Sequence, residues 1–407
     1  MGMVELSPVD REYCRDVTLQ VLDRTLHDYA DTASWASGSS SSDSDVEHEG
    51  WKKLRSQGNV SMFAEKTTDL RWMTSMRGGG WQHPVTVMAV GRMCCSLQEV
   101  LYGLVASDPA EFKLRSVLMD SKAEDDVEVE AITAPSEGEP FEFMGVTRYV
   151  DNHGCFHRPH EYVLVVATGE IFTSCGEHLG YQICQSVSLS QWPVTNTAIR
   201  KRVIQARVLR ELPDGSVGVY YKIIVDSRSF VPESVVQASL WRVVQDFWKM
   251  APRCADAKKL YYCVEHKDVL NLSGRRSPCG STDRFTCGIC GSPLLKGRRR
   301  SLGAIACSLG AIWNGTSQAY RCALCSILLC SKLRCCSMRQ LVQIDRCTME
   351  TDRQTVAICT ICADFIRSQS AVEIARRGLQ EIYATFKEKE PPYAGSCRKH
   401  RAPQPQV

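Results

Sequence analysis

Cysteine in this chain comes in pairs. Cys287-Gly-Ile-Cys290, Cys322-Ala-Leu-Cys325 and Cys359-Thr-Ile-Cys362 each place two residues between two thiols, the spacing at which both sulfurs of a pair can grip one tetrahedral Zn²⁺. Cys330 starts a fourth pair, yet three places on stands Leu333, which has no donor atom. The thiols that can fill the gap are Cys335 and Cys336. Using either stretches the intervening loop to four or five residues, at the upper end of what structural zinc sites accommodate. Cys335 is the favoured ligand, and a three-thiolate site or no second metal are the alternatives. Cys254, Cys263, Cys279, Cys307, Cys347 and Cys397 have no partner at ligand spacing and read as ordinary thiols.

No other constellation points to catalysis. The chain has no Gly-x-Ser-x-Gly elbow, no Walker loop and no His-Glu-x-x-His helix. Cys155, His157 and His160 crowd six residues, but without a second cluster nearby they read as a loop before a strand. Recognition rather than chemistry on a substrate is expected.

The 407 residues exceed one ordinary domain, so two or three units are expected. The formal net charge of +3 hides a division: residues 1–250 carry a net −10 and residues 251–407 a net +13. Cysteine divides the same way, 15 of 21 falling after residue 250. The first residues lack a basic stretch followed by an apolar one, and no apolar run nears the roughly 20 residues needed to span a bilayer. A soluble, cytoplasmic protein is expected, in which paired cysteines bind zinc rather than form disulfides.

The elements that must position these residues read as follows. Ser7-Pro8-Val9-Asp10 opens a helix with a capping hydroxyl and Pro at its first position. Residues 37–48, rich in Ser and Asp, read as a disordered loop. Strands are expected at 60–64, 85–90, 127–132, 141–149, 162–167, 181–189, 203–212 and 217–225, each rich in β-branched and aromatic residues. Ser96-Leu-Gln-Glu99 and Asp108-Pro-Ala-Glu111 start two short helices. A long helix from about Pro232 to Met250 presents Val235, Val236, Leu240, Val243, Val244 and Phe247 as an apolar stripe that must lie on something apolar. The concave face of the preceding sheet is the evident partner, a helix-grip arrangement of α+β class.

This order of helix, strands, two short helices, strands and long helix resembles the START lipid-transfer family. Val85-Thr-Val-Met-Ala-Val90 leading to the capped helix, Arg158-Pro-His-Glu-Tyr162, Gly180-Tyr-Gln-Ile-Cys-Gln-Ser186 and Pro213-Asp-Gly-Ser216 carry the resemblance, which covers residues 5–250. It implies a cavity for one lipid or sterol-like molecule, lidded by the terminal helix. Arg148, Arg158, Glu161 and Arg207 lie in or beside strands and are candidates for orienting a polar headgroup. A START-like shell with a filled interior, serving as a scaffold, is the competing expectation.

Residues 251–280 read as a linker, 281–385 as a zinc module ending in a helix from Asp364 to about Ala384, and 386–407 as a disordered tail. The cysteine order resembles the FYVE class of zinc fingers, in which eight ligands bind two Zn²⁺ cross-braced, first pair with third and second with fourth. Carried over by position, one site is Cys322, Cys325, Cys359 and Cys362, and the other Cys287, Cys290, Cys330 and Cys335. Of the basic stretch by which that class reads phosphatidylinositol 3-phosphate only Arg321 survives, and Asp283-Arg-Phe-Thr stands where Trp-x-x-Asp is wanted. Lys296, Arg298, Arg299 and Arg300 nonetheless form a basic loop next to an apolar stretch, suited to an anionic membrane surface.

The expected function is thus a non-catalytic lipid-binding or membrane-adaptor protein, cytoplasmic and peripheral on endosomal membranes. The alternatives are a RING-like ubiquitin ligase, which would ordinarily show a Cys-x-His step absent here, and a nucleic-acid binder favoured by the basic C-terminal half.

Overall fold

The computed structural model describes residues 5–36, 50–66, 81–119, 127–151, 158–174, 176–227, 231–272, 286–294 and 319–389. Its first element is α1 (Pro8–Ala36), capped where the Asp10 N–H donates to Ser7 Oγ at 3.1 Å. Ten strands follow in one sheet: β1 (Trp51–Gln57), β2 (Val60–Glu65), β3 (Pro84–Met93), β4 (Glu128–Thr133), β5 (Phe143–Asp151), β6 (His160–Phe172), β7 (His178–Ser186), β8 (Ile199–Arg200), β9 (Val203–Glu211) and β10 (Val217–Asp226). Their spatial order is β1-β2-β3-β10-β9-β7-β6-β5-β4, every neighbour antiparallel, with the short β8 pairing β6 in parallel. All eight expected strands are present. β1 was not expected, because its Lys-Lys-Leu-Arg-Ser-Gln run is polar on both faces, as a sheet edge tolerates.

Two short helices interrupt the strands as their caps dictate. In α2 (Leu97–Leu104) Ser96 and Glu99 form a reciprocal capping box, and in α3 (Pro109–Leu118) Asp108 Oδ1 accepts the Glu111 N–H at 2.8 Å.

Side chains alternate across the strands, so the sheet has two apolar faces. One, with Val87, Ala89, Val203, Leu209, Val219, Tyr221 and Ile223, is covered by Leu97, Leu101 and Leu104 of α2 and by Leu240, Val244 and Phe247 of α4 (Glu233–Glu265). The other, with Val146, Val163, Val165, Ile183 and Ile204, is covered by Leu6, Cys14, Val17 and Val21 at and in α1. This is the expected helix-grip class: an antiparallel sheet closed by a long helix. Two members of the expected stripe face away, Val235 at 54% exposure and Val243 at 37%.

α4 differs most from expectation. It does not stop near Met250 but runs through Pro252 to Glu265, so residues 251–265 are partly buried helix rather than linker. Pro252 supplies no N–H for one helical bond, a loss that tertiary packing outweighs here. Ala251 is wholly buried against the grip core and Cys254, Leu260 and Cys263 against the C-terminal half.

The C-terminal half holds β11 (Tyr320–Arg321) paired with β12 (Leu328–Leu329), and β13 (Cys336–Ile344) paired with β14 (Thr351–Cys359). The expected single terminal helix is two, α5 (Thr360–Ser368) and α6 (Ala371–Lys389), because Ser370 starts a new cap: its Oγ accepts the Glu373 N–H at 3.4 Å. α6 thus extends past residue 386, where the tail was expected, and residues 390–407 lie outside the described residues. So do the loop at 37–48, Cys155, His157, Cys279, Cys307 and Cys397. No described helix is long and apolar enough to cross a membrane.

Candidate functional site

Two groups of four thiols assemble in the C-terminal half. Cys287, Cys290, Cys330 and Cys335 form one and Cys322, Cys325, Cys359 and Cys362 the other, with all sulfurs of a group within 4.8 Å of one another. The pairing is interleaved, first with third and second with fourth. Four thiolates about 2.3 Å from a tetrahedral Zn²⁺ stand roughly 3.8 Å apart. The Cys290–Cys330 and Cys325–Cys359 sulfurs are each separated by 3.8 Å, so both groups fit a metal of that size.

Local backbone builds each corner. After Cys290, Gly291 takes a left-handed φ of 69° and its N–H donates to the Cys287 carbonyl at 2.8 Å. Ser326 does the same after Cys325 with φ 62°, donating to the Cys322 carbonyl at 2.9 Å. Such a turn folds the chain back so that both sulfurs of a pair point one way, and Gly adopts it most readily. Cys359 caps α5, its sulfur accepting the Cys362 N–H at 3.3 Å, while the Cys359 N–H reaches Cys322 Sγ at 3.4 Å.

The gap at Leu333 closes through Cys335. A turn within the longer loop, with the Cys335 N–H on the Lys332 carbonyl at 2.8 Å, brings Cys335 inward and leaves Leu333 outside at 91% exposure. Cys336 is buried but belongs to no group; it opens β13 and pairs in register with Cys359.

Electrostatics favour a cation at both places. In the deeper group Cys325, Cys359 and Cys362 donate toward Cys322 and hold it well below the usual thiol range, while Cys362 is pushed far up by Cys322, Cys325 and Cys359. In the outer group the Ser292 side chain and backbone lower Cys290 to about 6, whereas burial and then Cys290 and Cys330 push Cys335 up to about 12. Four sulfurs this close cannot all ionise unless a bound cation compensates them.

Of the basic residues expected near the finger, Arg321 is exposed, and its guanidinium donates to the Ser326 carbonyl at 3.2 Å. Lys296, Arg298, Arg299 and Arg300 lie outside the described residues, as does Asp283.

The four headgroup candidates in the grip half separate sharply. Arg148 and Glu161 lie on the α1 side of the sheet in a closed network: Arg148 Nε meets Glu161 Oε1 at 2.9 Å and its Nη1 meets Glu128 at 2.7 Å, while Arg200 pairs with Glu161 at 2.9 Å. Trp192 Nε1 completes it on Glu128 at 2.8 Å. Arg158 is exposed, donating to the Asn196 carbonyl. Arg148 and Glu161 are thus structural, and Arg158 lies outside the grip interior.

Arg207 alone faces the grip interior. It is 5% exposed, and its guanidinium carbon sits 4.0 Å from the centre of the Tyr221 ring and 4.5 Å from that of Phe247 on α4. Its nitrogens donate to Gln182 Oε1 at 2.7 Å, Gln205 Oε1 at 2.5 Å and Tyr221 OH at 2.6 Å, all neutral, and Nε has no partner. Among the described residues no carboxylate pairs with it. Gln182, Gln205 and Tyr221 were not foreseen; Gln205 shares the face two residues back on β9, while Gln182 and Tyr221 reach Arg207 only through the β7–β9–β10 register, which places them on either side of it.

A cleft of about 380 Å³ opens where the halves meet, lined by Tyr102, Glu111, Lys258, Tyr261, Arg346 and Leu379 among others. Its charged groups are already paired, Lys258 with Glu111 at 3.3 Å and Arg346 with Asp108 at 2.8 Å.

No family model matches the chain, and no curated protein matches it. Among solved structures it is similar to human StAR-related lipid transfer protein 5, at 13% identity and TM-score 0.41, over 60% of this chain and 97% of that one. Human STARD10 is similar at 14% identity and TM-score 0.36, over 63% and 88%. At these TM-scores both are likenesses only, and the fold rests on the strands and helices described above.

Proposed function

We propose that this chain is a non-catalytic lipid-handling protein: the grip half holds an amphiphile, and the C-terminal half is a zinc-stapled, FYVE-like module that docks it on an anionic membrane. The observation that carries the first part is Arg207. A buried cation costs several kcal/mol unless an anion or strong acceptors compensate it, and here amides and a phenol do so incompletely, leaving Nε without a partner. Around it the concave face is apolar. A ligand with an anionic or hydrogen-bond-accepting head and an apolar body matches both features. Because Phe247 stacks on Arg207, α4 must yield for such a ligand to enter or leave.

Each thiol group offers four ligands and no open position, the pattern of structural rather than catalytic zinc. Membrane docking is favoured by the outer loop, where Leu333 projects at 91% exposure between Lys332 and Arg334. An apolar tip between two cations suits an anionic surface, each basic residue contributing about 1 kcal/mol. With Arg321 the lone basic residue kept from the phosphoinositide-reading stretch, general anionic attraction is the expected mode.

The test is extraction of lipids from purified full-length protein and their identification by mass spectrometry, beside Arg207→Met. Co-purifying lipid present in wild type and lost in the variant supports the reading. Well-folded wild type that yields no lipid, and takes none up from vesicles containing phosphatidylserine, overturns it in favour of a scaffold.

A further inference from the structure

We infer that the metal state of the C-terminal module sets how tightly α4 closes over the sheet, so that metal sites and grip interior are linked through one helix. The inference rests on the reading that the two thiol groups hold zinc.

α4 belongs to two cores at once. Leu240, Trp241, Val244, Phe247 and Ala251 pack into the grip core, and Phe247 covers Arg207. Leu260, Tyr262 and Cys263 pack into a second core that contains all four ligands of the deeper group, Cys322, Cys325, Cys359 and Cys362. From Ala251 to Leu260 is nine residues, about 14 Å along a helix, too short for either end to shift while the other stays fixed.

A buried ammonium ties the same elements from the side. Lys259, 3% exposed, donates to Glu99 at 2.6 Å and to the Arg367 carbonyl at 3.4 Å. Glu99 is the acid of the α2 capping box. Arg367 lies in the last turn of α5, whose cap is the metal ligand Cys359. A continuous path therefore runs from the deeper thiol group through α5 to Lys259, then to α2, which closes on α4 at Gly103 and Ala251. Further contacts hold the halves together: Lys113 Nζ on the Met349 carbonyl at 2.6 Å, Arg339 on Asp256, and Arg346 on Asp108 at 2.8 Å.

Without a metal nothing holds the four sulfurs of the deeper group together. That removes the α5 cap and the packing of Leu260 and Cys263, and α4 then holds the sheet only by its first half. Coupling between sites is reciprocal, so a ligand that lifts α4 should also weaken metal retention.

The experiment is native-state amide exchange, read by mass spectrometry on full-length protein with zinc and after chelation. Protection of 240–251 should fall about tenfold on chelation, within the roughly 5- to 150-fold range of coupled sites, while the middle of β6 stays unchanged. Lys259→Met, which removes only the lateral tie, should shrink that fall to below about threefold. A four-residue Gly-Ser insertion between Asp256 and Ala257 should abolish it, leaving deprotection confined to 320–362. The inference is overturned if 240–251 is indifferent to chelation in wild type, if β6 deprotects equally, or if the protein purifies folded without metal. A protein that carries metal but no lipid leaves the exchange result decisive, since exchange reads the helix and not the ligand.

Discussion

A β-carbon at Gly103 would overlap the carbonyl oxygen of Ala251, so α2 and α4 touch backbone to backbone at that point. Gly103→Ala would gain up to about 1 kcal/mol of helix propensity. The obstacle is main chain, however, which has no flexible end to swing aside, and overpacking of this kind costs about 1–3 kcal/mol. A net loss centred on about 1 kcal/mol is expected, read as a lowered urea midpoint at unchanged slope. A variant as stable as wild type would mean the helices lie further apart than described.

Cys335→Ser should lower bound zinc from two equivalents to one, because Cys335 and not Cys336 completes the outer group. Cys336→Ser should retain both. Metal content by mass spectrometry, normalised to protein, distinguishes the two, and equal loss in both variants would reopen the choice of ligand.

Two buried charges should respond in opposite ways. Glu161, 3% exposed between Arg148 and Arg200, is the centre of a satisfied network; Glu161→Gln leaves Arg200 without its carboxylate and Arg148 with Glu128 alone, and should cost about 3–5 kcal/mol. Arg207→Met removes a cation that has no anionic partner among the described residues, and stability should be unchanged or higher. Thermal melts of the pair decide: a strongly destabilised Arg207→Met would show that the neutral acceptors compensate it fully.

Acid should loosen the junction through Glu99. Burial pushes its carboxyl up, but Lys259 and the Ser96 N–H outweigh burial and hold it below its ordinary value of 4.5. The unfolded chain then takes up the proton first, so the carboxylate stabilises the fold fully above about pH 4.5 and progressively less as pH falls through the lower folded value. Below about pH 4.5 the stability of wild type should fall more steeply than that of Glu99→Gln. Both proteins share the acid sensitivity of the thiol groups, so parallel slopes would remove Glu99 from the account.

Much of the fold was legible because it is local. Cys287–Cys290, Cys322–Cys325 and Cys359–Cys362 keep a fixed spacing that ligand geometry imposes, and Ser96–Glu99 and Asp108–Pro109 announce their helices. The strands of the sheet core announce themselves by composition. What escaped is non-local or locally ambiguous. β14 begins Thr351-Asp-Arg-Gln-Thr, a polar run that becomes a strand only because β13 lies beside it. α4 continues past Pro252 because Ala251, Cys254 and Leu260 have cores to enter on both sides. Arg207 was a visible candidate among four, yet its role and the structural role of Arg148 follow only from which face each takes, and a one-residue difference in strand position decides that.

The continuation of α4 to Glu265 also bears on how such a chain can arise and be divided. A gene fusion joining two finished domains would leave a spacer between them, and each could later be exchanged for another. Here the acidic and the basic halves have a helix in common, so a fragment ending at Met250 would lack Ala251, and one beginning at residue 281 would lack Leu260 and Cys263. Neither half keeps a whole core on its own, and the two are expected to be inherited, and lost, as one piece.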